Sequence, residues 1–223
     1  MPVNIELYQS IIAELNPQQV QLIAVSKTKP NEDIIELYNL GQRAFGENYV
    51  QELVDKEASL PKDIQWHFIG HLQSNKVKYI APFVHLIHGV DSEKLLQEIN
   101  KQAIKQNRVI DCLLQVHIAT EETKFGFDAD SISVLIQSGR LANYSNIRIK
   151  GLMGMASFSE DTHLLTKEFT SLKQIFDQAA VLLGNQFSIL SMGMSSDYNL
   201  AISLGSNMVR IGSLLFGARN YSK

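Results

Sequence analysis

Several features that would place the chain in a common class of protein are scarce or missing. Among its 223 residues the only cysteine is Cys112, so an internal disulfide and a CxxC-type zinc site are both excluded. Cys112 itself is expected to be a buried, small apolar residue. No apolar run reaches the roughly 18 residues of a membrane span. The first 26 residues contain no Lys or Arg, which a secretion signal needs near its start.

An excess of basic residues is also missing. The 20 Lys and Arg are outnumbered by 23 Asp and Glu, for a net charge of −3. Nucleic acids and anionic membranes attract proteins with a basic excess, so we expect neither as a partner. With 45% hydrophobic and 19% charged residues, the composition is that of an ordinary globular protein. We expect a protein of the cytoplasm.

Short apolar runs alternate with amphipathic segments along the chain. An amphipathic helix is predicted first, followed by eight strand–helix units, which imply right-handed crossovers and a parallel sheet. Eight units in this length favour a single (β/α)8 barrel domain over residues 1–223, with the extra helix of residues 1–16 packed on it. The predicted strands are 21–26, 43–48, 65–70, 83–90, 108–118, 146–155, 187–193 and 208–212.

An open, doubly wound α/β sheet is the competing architecture. Such a sheet would normally carry a glycine-rich nucleotide motif after its first strand, and neither GxGxxG nor GxxxxGK[ST] occurs here. Within either fold, Asn31, Asp91 and Ser195 are expected to cap the helices that follow them.

The loops after the last two strands have the composition of an anion site. In these barrels a phosphate is commonly bound by the loops after strands 7 and 8 together with a helix N-terminus. Ser195 follows strand 7, and Gly212 and Ser213 follow strand 8, where the glycine would let the backbone approach a ligand. The alternative is that Ser195 and Ser196 only cap a helix.

A lysine ends the first strand. Lys27 would lie over a mostly apolar mouth, where loss of water disfavours the ammonium and leaves an amine able to attack a carbonyl. The alternative is that Lys27 and Lys29 begin a solvated loop. A ligand with both a carbonyl and a phosphate would use Lys27 and the two loops together. Pyridoxal 5′-phosphate (PLP) and a phosphorylated sugar in a Schiff-base aldolase both fit.

Histidines near strands 3 and 4 do not predict a metal site. His85 and His88 are three residues apart, and alternation along a strand would place them on opposite sides. His67 is expected to be a hydrogen-bonded core residue. We predict no metal.

Six segments together resemble the pyridoxal phosphate homeostasis proteins, single-domain relatives of the alanine racemase barrel. The resemblance covers essentially the whole chain in order and implies a fold-type III PLP-binding barrel. The segments are AVSKTKP (24–30), GENYVQE (46–52), WHFIGHLQSNK (66–76), KFGF (124–127), KGLMGMA (150–156) and the long block 190–219.

The resemblance also implies a role for individual residues. Lys27 matches the lysine that forms a Schiff base with PLP, and Arg210 the arginine that faces the pyridine nitrogen. The implied cofactor-binding residues are Lys27, Asn48, Ser195, Arg210, Gly212 and Ser213, with His71, Lys124 and Met155 as second-line rim residues.

An arginine beside the ring nitrogen favours a protein that holds PLP over an enzyme that uses PLP in catalysis. Guanidinium stays protonated and can only donate, so the ring nitrogen would stay unprotonated and PLP would be a weaker electron sink. The chain ends about ten residues after Ser213, so we expect no second domain like that of alanine racemase. We therefore expect a monomeric PLP carrier that supplies apo forms of PLP-dependent enzymes. The alternatives are an amino-acid racemase or lyase and, second, a Schiff-base aldolase.

Overall fold

The computed structural model describes residues 3–120 and 125–217. Within these ranges the chain forms eight strands and nine α-helices in alternation. The strands are β1 (Gln21–Val25), β2 (Ala44–Glu47), β3 (Gln65–Phe68), β4 (Leu86–Val90), β5 (Ile110–Val116), β6 (Ile147–Gly154), β7 (Ile189–Met194) and β8 (Met208–Ile211). The helices are α1 (Ile5–Leu15), α2 (Asn31–Asn39), α3 (Val50–Ser59), α4 (Val77–Ile80), α5 (Glu93–Lys105), α6 (Ala129–Gln137), α7 (Thr162–Leu183), α8 (Tyr198–Ser203) and α9 (Ser213–Phe216).

The strands form a closed barrel in sequence order. Every neighbouring pair is parallel, and β8 returns to β1 with Ile23 opposite Arg210 and Ala24 opposite Ile211. The predicted (β/α)8 fold is confirmed, and the open doubly wound sheet is excluded. Because all strands run the same way, the loops after their carboxyl ends meet at one rim of the barrel.

The barrel interior is divided into an apolar and a polar layer. On β4, β7 and β8 the inward residues Leu86, Ile189 and Met208 belong to an apolar cluster. Two residues further along each strand, the side chain on the same face is polar. These polar residues are His88, Ser191 and Arg210, and all three are buried. The polar layer therefore lies closer to the carboxyl ends of the strands.

The first helix packs beside the last one. Tyr8, Ile11 and Leu15 are buried on one face of α1, as the helical spacing of the apolar residues predicts. The Asn4 side chain caps α1 by accepting from the Leu7 amide, and the Asn4 amide donates to the Leu215 carbonyl of α9 at 2.8 Å. Helix α1 thus packs against α9, the helix that directly follows β8.

Two of the predicted helix caps were wrong. Asn31 is the first residue of α2 rather than its cap, and its amide group donates to the Ser59 hydroxyl at 3.0 Å. The cap of α5 is Ser92, which accepts from the Leu95 amide, because the Asp91 carboxylate lies 2.9 Å from His71. Both side chains make long-range contacts that the local sequence does not encode.

In the part of the chain described, no helix combines the length and apolar composition needed to span a bilayer. Cys112 is buried in the apolar core, as predicted, and burial raises the pKa of its thiol well above the usual range.

A glycine is required where β6 passes β7. The register of β5 and β6 shifts between Cys112 and Leu113, which leaves Lys150 as an extra residue just before Gly151. Gly151 has a φ of +157°, and a Cβ there would lie 1.7 Å from the Ile189 carbonyl oxygen. Substitution would therefore force two paired strands apart.

We expect Gly151→Ala to lower the free energy of unfolding by roughly 3 kcal/mol or more, because the backbone of β7 must move. Gly139→Ala is the matched control, since Gly139 has a φ of +70° but nothing within 4 Å of a Cβ. Its expected loss is about 1 kcal/mol, from backbone conformation alone. Urea unfolding of both variants is the measurement, and equal losses would contradict this account.

Candidate functional site

A cleft of about 370 Å³ opens at the rim formed by the carboxyl ends of the strands. Its volume lies within the roughly 300–1,000 Å³ usual for small-molecule sites. The segments after β1, β2, β3, β6, β7 and β8 contribute to its wall. The lining residues are Val25, Lys27, Lys29, Asn48, Ile69, Met155, Phe158, Met194, Ser195, Ser196, Arg210, Gly212, Ser213 and Gly217.

Most of the residues singled out from the sequence meet in this cleft. The six first-line residues Lys27, Asn48, Ser195, Arg210, Gly212 and Ser213 all line it, and so does Met155. His71 does not line it, because its ring stacks on Phe125 with centroids 3.9 Å apart and pairs with Asp91. Lys124 lies outside the described residues.

Lys27 lies directly after β1, beside an apolar part of the wall. Its side chain is half-buried, and Ser26 before it is fully buried. Val25, Ile69 and Met155 line the same cleft. A neutral amine in such a place is a nucleophile toward a carbonyl. Met155 was among the second-line residues predicted from the sequence, whereas Val25 and Ile69 were missed, although both lie at a strand exit, the signal that identified Lys27.

The loops after β7 and β8 are in direct contact. The Gly212 amide donates to the Ser195 hydroxyl at 3.3 Å, and Ser196 and Ser213 line the same end of the cleft. Hydroxyl groups and backbone amides that converge in this way suit an anion. Gly212 packs closely on β1, because a Cβ there would lie 3.1 Å from the Val25 carbonyl oxygen, a tight contact.

Ser195 is not a helix cap, contrary to the sequence prediction. The residue preceding α8 is Asp197, whose carboxylate accepts from the Met194 amide at 2.6 Å. Met194, Ser195, Ser196 and Asp197 form a tight turn, closed by the Asp197 amide donating to the Met194 carbonyl at 3.1 Å. The aspartate takes the backbone donor, so the Ser195 hydroxyl faces Gly212.

Arg210 is held rigidly beneath the cleft. It is 4% exposed, and its Nη1 donates to the Ser191 carbonyl at 2.9 Å and to the Ser191 hydroxyl at 2.6 Å. Its Nη2 donates to the Gly154 carbonyl at 3.0 Å. Burial lowers the pKa of Arg210 to about 10, with Asp197 opposing the shift, so the guanidinium stays charged at neutral pH. These bonds use three of the five N–H groups of a guanidinium.

A chain of hydrogen bonds runs from Arg210 into the barrel. Ser191 Oγ lies 3.2 Å from His88 Nδ1, and His88 Nε2 lies 2.9 Å from His67 Nδ1. Arg210 can only donate, so the Ser191 hydroxyl accepts from it. Each of the two ring contacts holds one hydrogen, and its direction depends on the tautomers of His88 and His67. His67 Nε2 is buried with no hydrogen-bond partner among the described residues.

His67 is a hydrogen-bonded core residue, as predicted, but the predicted separation of His85 and His88 was wrong. Both of their rings lie 5.2 Å from the His67 ring. The alternation argument fails because β4 begins at Leu86, so His85 precedes the regular strand. Within residues 3–120 and 125–217 there is no cluster of three or more His, Cys, Asp or Glu suited to a metal ion.

Asn48 supplies an unsatisfied acceptor in the cleft wall. Its Oδ1 is buried and has no hydrogen-bond partner in the described part of the chain. Buried polar atoms are nearly always paired, so an orphaned one that lines a cleft is expected to meet a ligand or water.

The barrel and its cleft define a class of protein. The site combines a parallel barrel with a lysine after the first strand, hydroxyl-bearing loops after the seventh and eighth, and a buried arginine below them. The family model described as "Alanine racemase, N-terminal domain" matches residues 4–220.

Within that class, the chain belongs to the pyridoxal phosphate homeostasis protein family. It is 41% identical over 202 residues to the pyridoxal phosphate homeostasis protein of Aquifex aeolicus, covering 90% of this chain and 88% of the relative. It is 40% identical over 210 residues to the protein of that name from Pasteurella multocida, with coverage of 92% and 88%.

Solved structures agree with this assignment. PipY of Synechococcus elongatus PCC7942, solved without PLP, has a TM-score of 0.89 and 35% identity, covering 95% of this chain and 99% of PipY. PipY solved with PLP bound has a TM-score of 0.84. Alanine racemase of Clostridium difficile 630, at 14% identity and a TM-score of 0.77, covers 99% of this chain and 58% of the racemase and shows a shared fold.

We expect His67 and His88 to remain neutral at pH 5. Burial lowers the pKa of His67 to about 3 and holds the pKa of His88 well below its ordinary value, with neighbouring His85 and Arg210 adding to the effect. Imidazole ¹⁵N spectra should show both rings neutral, whereas in urea they titrate near about 6.5. Protonation of either ring above pH 5 in the folded protein would contradict this account.

The lowered pKa values of His67 and His88 make the folded protein less stable as the pH falls. Below about pH 6.5 the unfolded state binds protons at both histidines and the folded state does not, so each removes about 1.4 kcal/mol of stability per pH unit. Glu47 has the opposite effect on stability, because burial raises its pKa to about 7. Between about pH 7 and its ordinary pKa of 4.5, the folded state binds a proton that the unfolded state does not, so stability rises as the pH falls.

Proposed function

We propose that this chain binds PLP in the cleft, holds it as a reversible Schiff base on Lys27, and acts in PLP homeostasis within the cell. The observation that carries the proposal is the convergence of a lysine, a buried arginine and two hydroxyl-bearing loops in one cleft. The relatives named for PLP homeostasis, and the PipY structure with PLP bound, support the same ligand.

The residues present fit the cofactor in chemical type. PLP supplies an aldehyde that condenses reversibly with primary amines. Lys27 would provide the amine, and the Ser195, Ser196 and Ser213 hydroxyls with the Gly212 amide would hold the phosphate. Asn48, with its unsatisfied buried oxygen, would add a polar contact beside the ring. Met155 and Ile69 would contribute apolar surface.

Arg210 determines what kind of chemistry the site favours. Its three bonds to Ser191 and Gly154 fix the guanidinium and leave two N–H groups for other acceptors. An arginine beside the ring nitrogen donates a hydrogen bond and does not supply a proton, which weakens the ring as an electron sink. The site is therefore better suited to holding PLP than to carbanion chemistry.

The chain would also deliver PLP to other proteins. The cleft lies at the barrel rim, where Phe158 is 91% exposed beside it. An amine or the lysine of an apo-enzyme could reach a ligand held there. We propose that the chain acts as a monomer in the cytoplasm and passes PLP to apo forms of PLP-dependent enzymes.

We expect the purified chain to show visible absorbance after incubation with PLP, and Lys27→Ala to lose it while keeping the fold. The absorbance should disappear on borohydride reduction because the linkage is an imine. Lys62→Ala is the control, since Lys62 is an exposed lysine paired with Glu57 outside the cleft. Ultraviolet–visible spectra and circular dichroism are the measurements.

A reducible visible absorbance retained by Lys27→Ala would overturn the assignment of Lys27. Borohydride trapping of a phosphorylated sugar with no chromophore would instead identify an aldolase. Exchange of an amino-acid Cα hydrogen in deuterated water at catalytic turnover would identify a racemase or lyase.

A further inference from the structure

Three charged side chains lie behind the loop that carries Lys27. Lys56 of α3 is buried, and its Nζ contacts three acceptors. These are the Ser26 carbonyl at 2.8 Å, Glu47 Oε1 at 2.8 Å and Glu52 Oε1 at 2.6 Å. An ammonium has three hydrogens, so this set of acceptors satisfies it completely. Lys56, Glu47 and Glu52 are called the Lys56 cluster below.

The Lys56 cluster bonds to the chain on both sides of Lys27. Before it, the Ser26 hydroxyl donates to Glu47 Oε1 at 2.6 Å, and the Ser26 carbonyl accepts from Lys56. After it, the Thr28 amide donates to Glu52 Oε1 at 2.5 Å. Three hydrogen bonds thus connect residues 26 and 28 with the Lys56 cluster, and two more join Lys56 to Glu47 and Glu52 within it.

Thr28 has an unusual backbone conformation that needs this support. Its φ is +61°, a left-handed value that β-branched residues rarely adopt. Strained backbone of this kind persists only where the surroundings fix it, and it occurs preferentially at functional sites. The bond from the Thr28 amide to Glu52 fixes it here, directly after Lys27.

Stability alone does not account for the Lys56 cluster. Glu47 is fully buried, and its Oε2 has no hydrogen-bond partner among the described residues. Two carboxylates share one ammonium, and burial raises the pKa of Glu47 to about 7, with Glu52 adding to the shift and Lys56 and Ser26 opposing it. Buried ion pairs usually contribute little net stability, whereas they can specify one conformation.

We infer that the Lys56 cluster is a positioning unit for Lys27. Its residues act through the backbone of residues 26–28, and they set the direction in which the Lys27 amine is presented to a carbonyl in the cleft. This inference deepens the proposed function and rests on it for the identity of the carbonyl compound. The positions of residues 26–28 are open to a test without any ligand.

The first experiment is hydrogen–deuterium exchange of the ligand-free protein. In Lys56→Met we expect the amides of Thr28 and Lys29 to exchange at least about tenfold faster, because local opening governs their protection. Lys173→Met is the matched control, since Lys173 and Asp177 form an i,i+4 ion pair on α7, as Lys56 and Glu52 do on α3, but at an exposed position. It should leave exchange at residues 26–29 unchanged.

A pair of substitutions at Glu52 separates hydrogen bonding from charge. Glu52→Gln keeps an acceptor for the Thr28 amide and should retain its protection, whereas Glu52→Ala should lose it. If Lys56→Met does not fold, the test uses the two Glu52 variants and the double variant Lys56→Met/Glu47→Gln. The double variant removes the fully buried Glu47 carboxylate together with its ammonium partner. Unchanged exchange at Thr28 in all folded variants that remove the ammonium or the acceptor would overturn the inference.

The second experiment separates Lys27 placement from ligand binding in general. PLP is compared with pyridoxine 5′-phosphate, which keeps the ring and phosphate but has an alcohol instead of the aldehyde. In Lys56→Met we expect apparent PLP affinity, followed by visible absorbance, to fall about tenfold or more, since misplaced reacting groups lose this much. Binding of pyridoxine 5′-phosphate, followed by calorimetry, should stay within about twofold.

Equal loss of both ligands, or no change for PLP, would overturn the inference. If the unsubstituted chain binds neither ligand, the proposed function fails, and the exchange experiment still decides whether the Lys56 cluster holds residues 26–28.

Discussion

The pairing of β1 with β8 is the interaction on which the site depends. Four pairs of residues, from Gln21–Met208 to Ala24–Ile211, join the first strand to the last. This closure brings Lys27 to the same rim as Gly212 and Ser213, which lie about 185 residues further along the chain. The carbonyl of Val25 then leaves little space for a side chain at position 212. The cleft is therefore a product of barrel closure more than of any local motif.

The polar layer inside the barrel prepares the floor of this cleft. Arg210 is bonded to Ser191 and Gly154, and Ser191 connects it to two buried histidines whose pKa values are lowered by burial. One positive charge is thus kept below the cleft while the layer beneath it stays neutral. A ring nitrogen placed against such a guanidinium accepts a hydrogen bond and remains unprotonated. In the proposed complex, the barrel would therefore favour retention of PLP over strong activation of a carbanion.

Sequence reasoning located the fold because strand–helix alternation is a local pattern, and it located the cleft because a closed barrel brings the strand exits together. Alternating strands and helices predicted the barrel, and the rule that strand exits converge placed Lys27, Ser195 and Gly212 together. It failed where a side chain is committed to a distant segment. Asp91 pairs with His71 instead of capping α5, and α8 begins after Asp197, two residues later than a cap at Ser195 would place it. Lys56 resembles an ordinary exposed helix lysine in sequence, and only the approach of α3 to β1 buries it.

The central claim is that the amine at the exit of β1 carries the cofactor. The most direct measurement is peptide mapping by mass spectrometry after incubation with PLP and borohydride reduction. The account predicts a pyridoxyl-phosphate adduct on Lys27 at near one equivalent per chain. An adduct located mainly on Lys29 or another lysine, or no stable adduct above the level of free-lysine labelling, would contradict it.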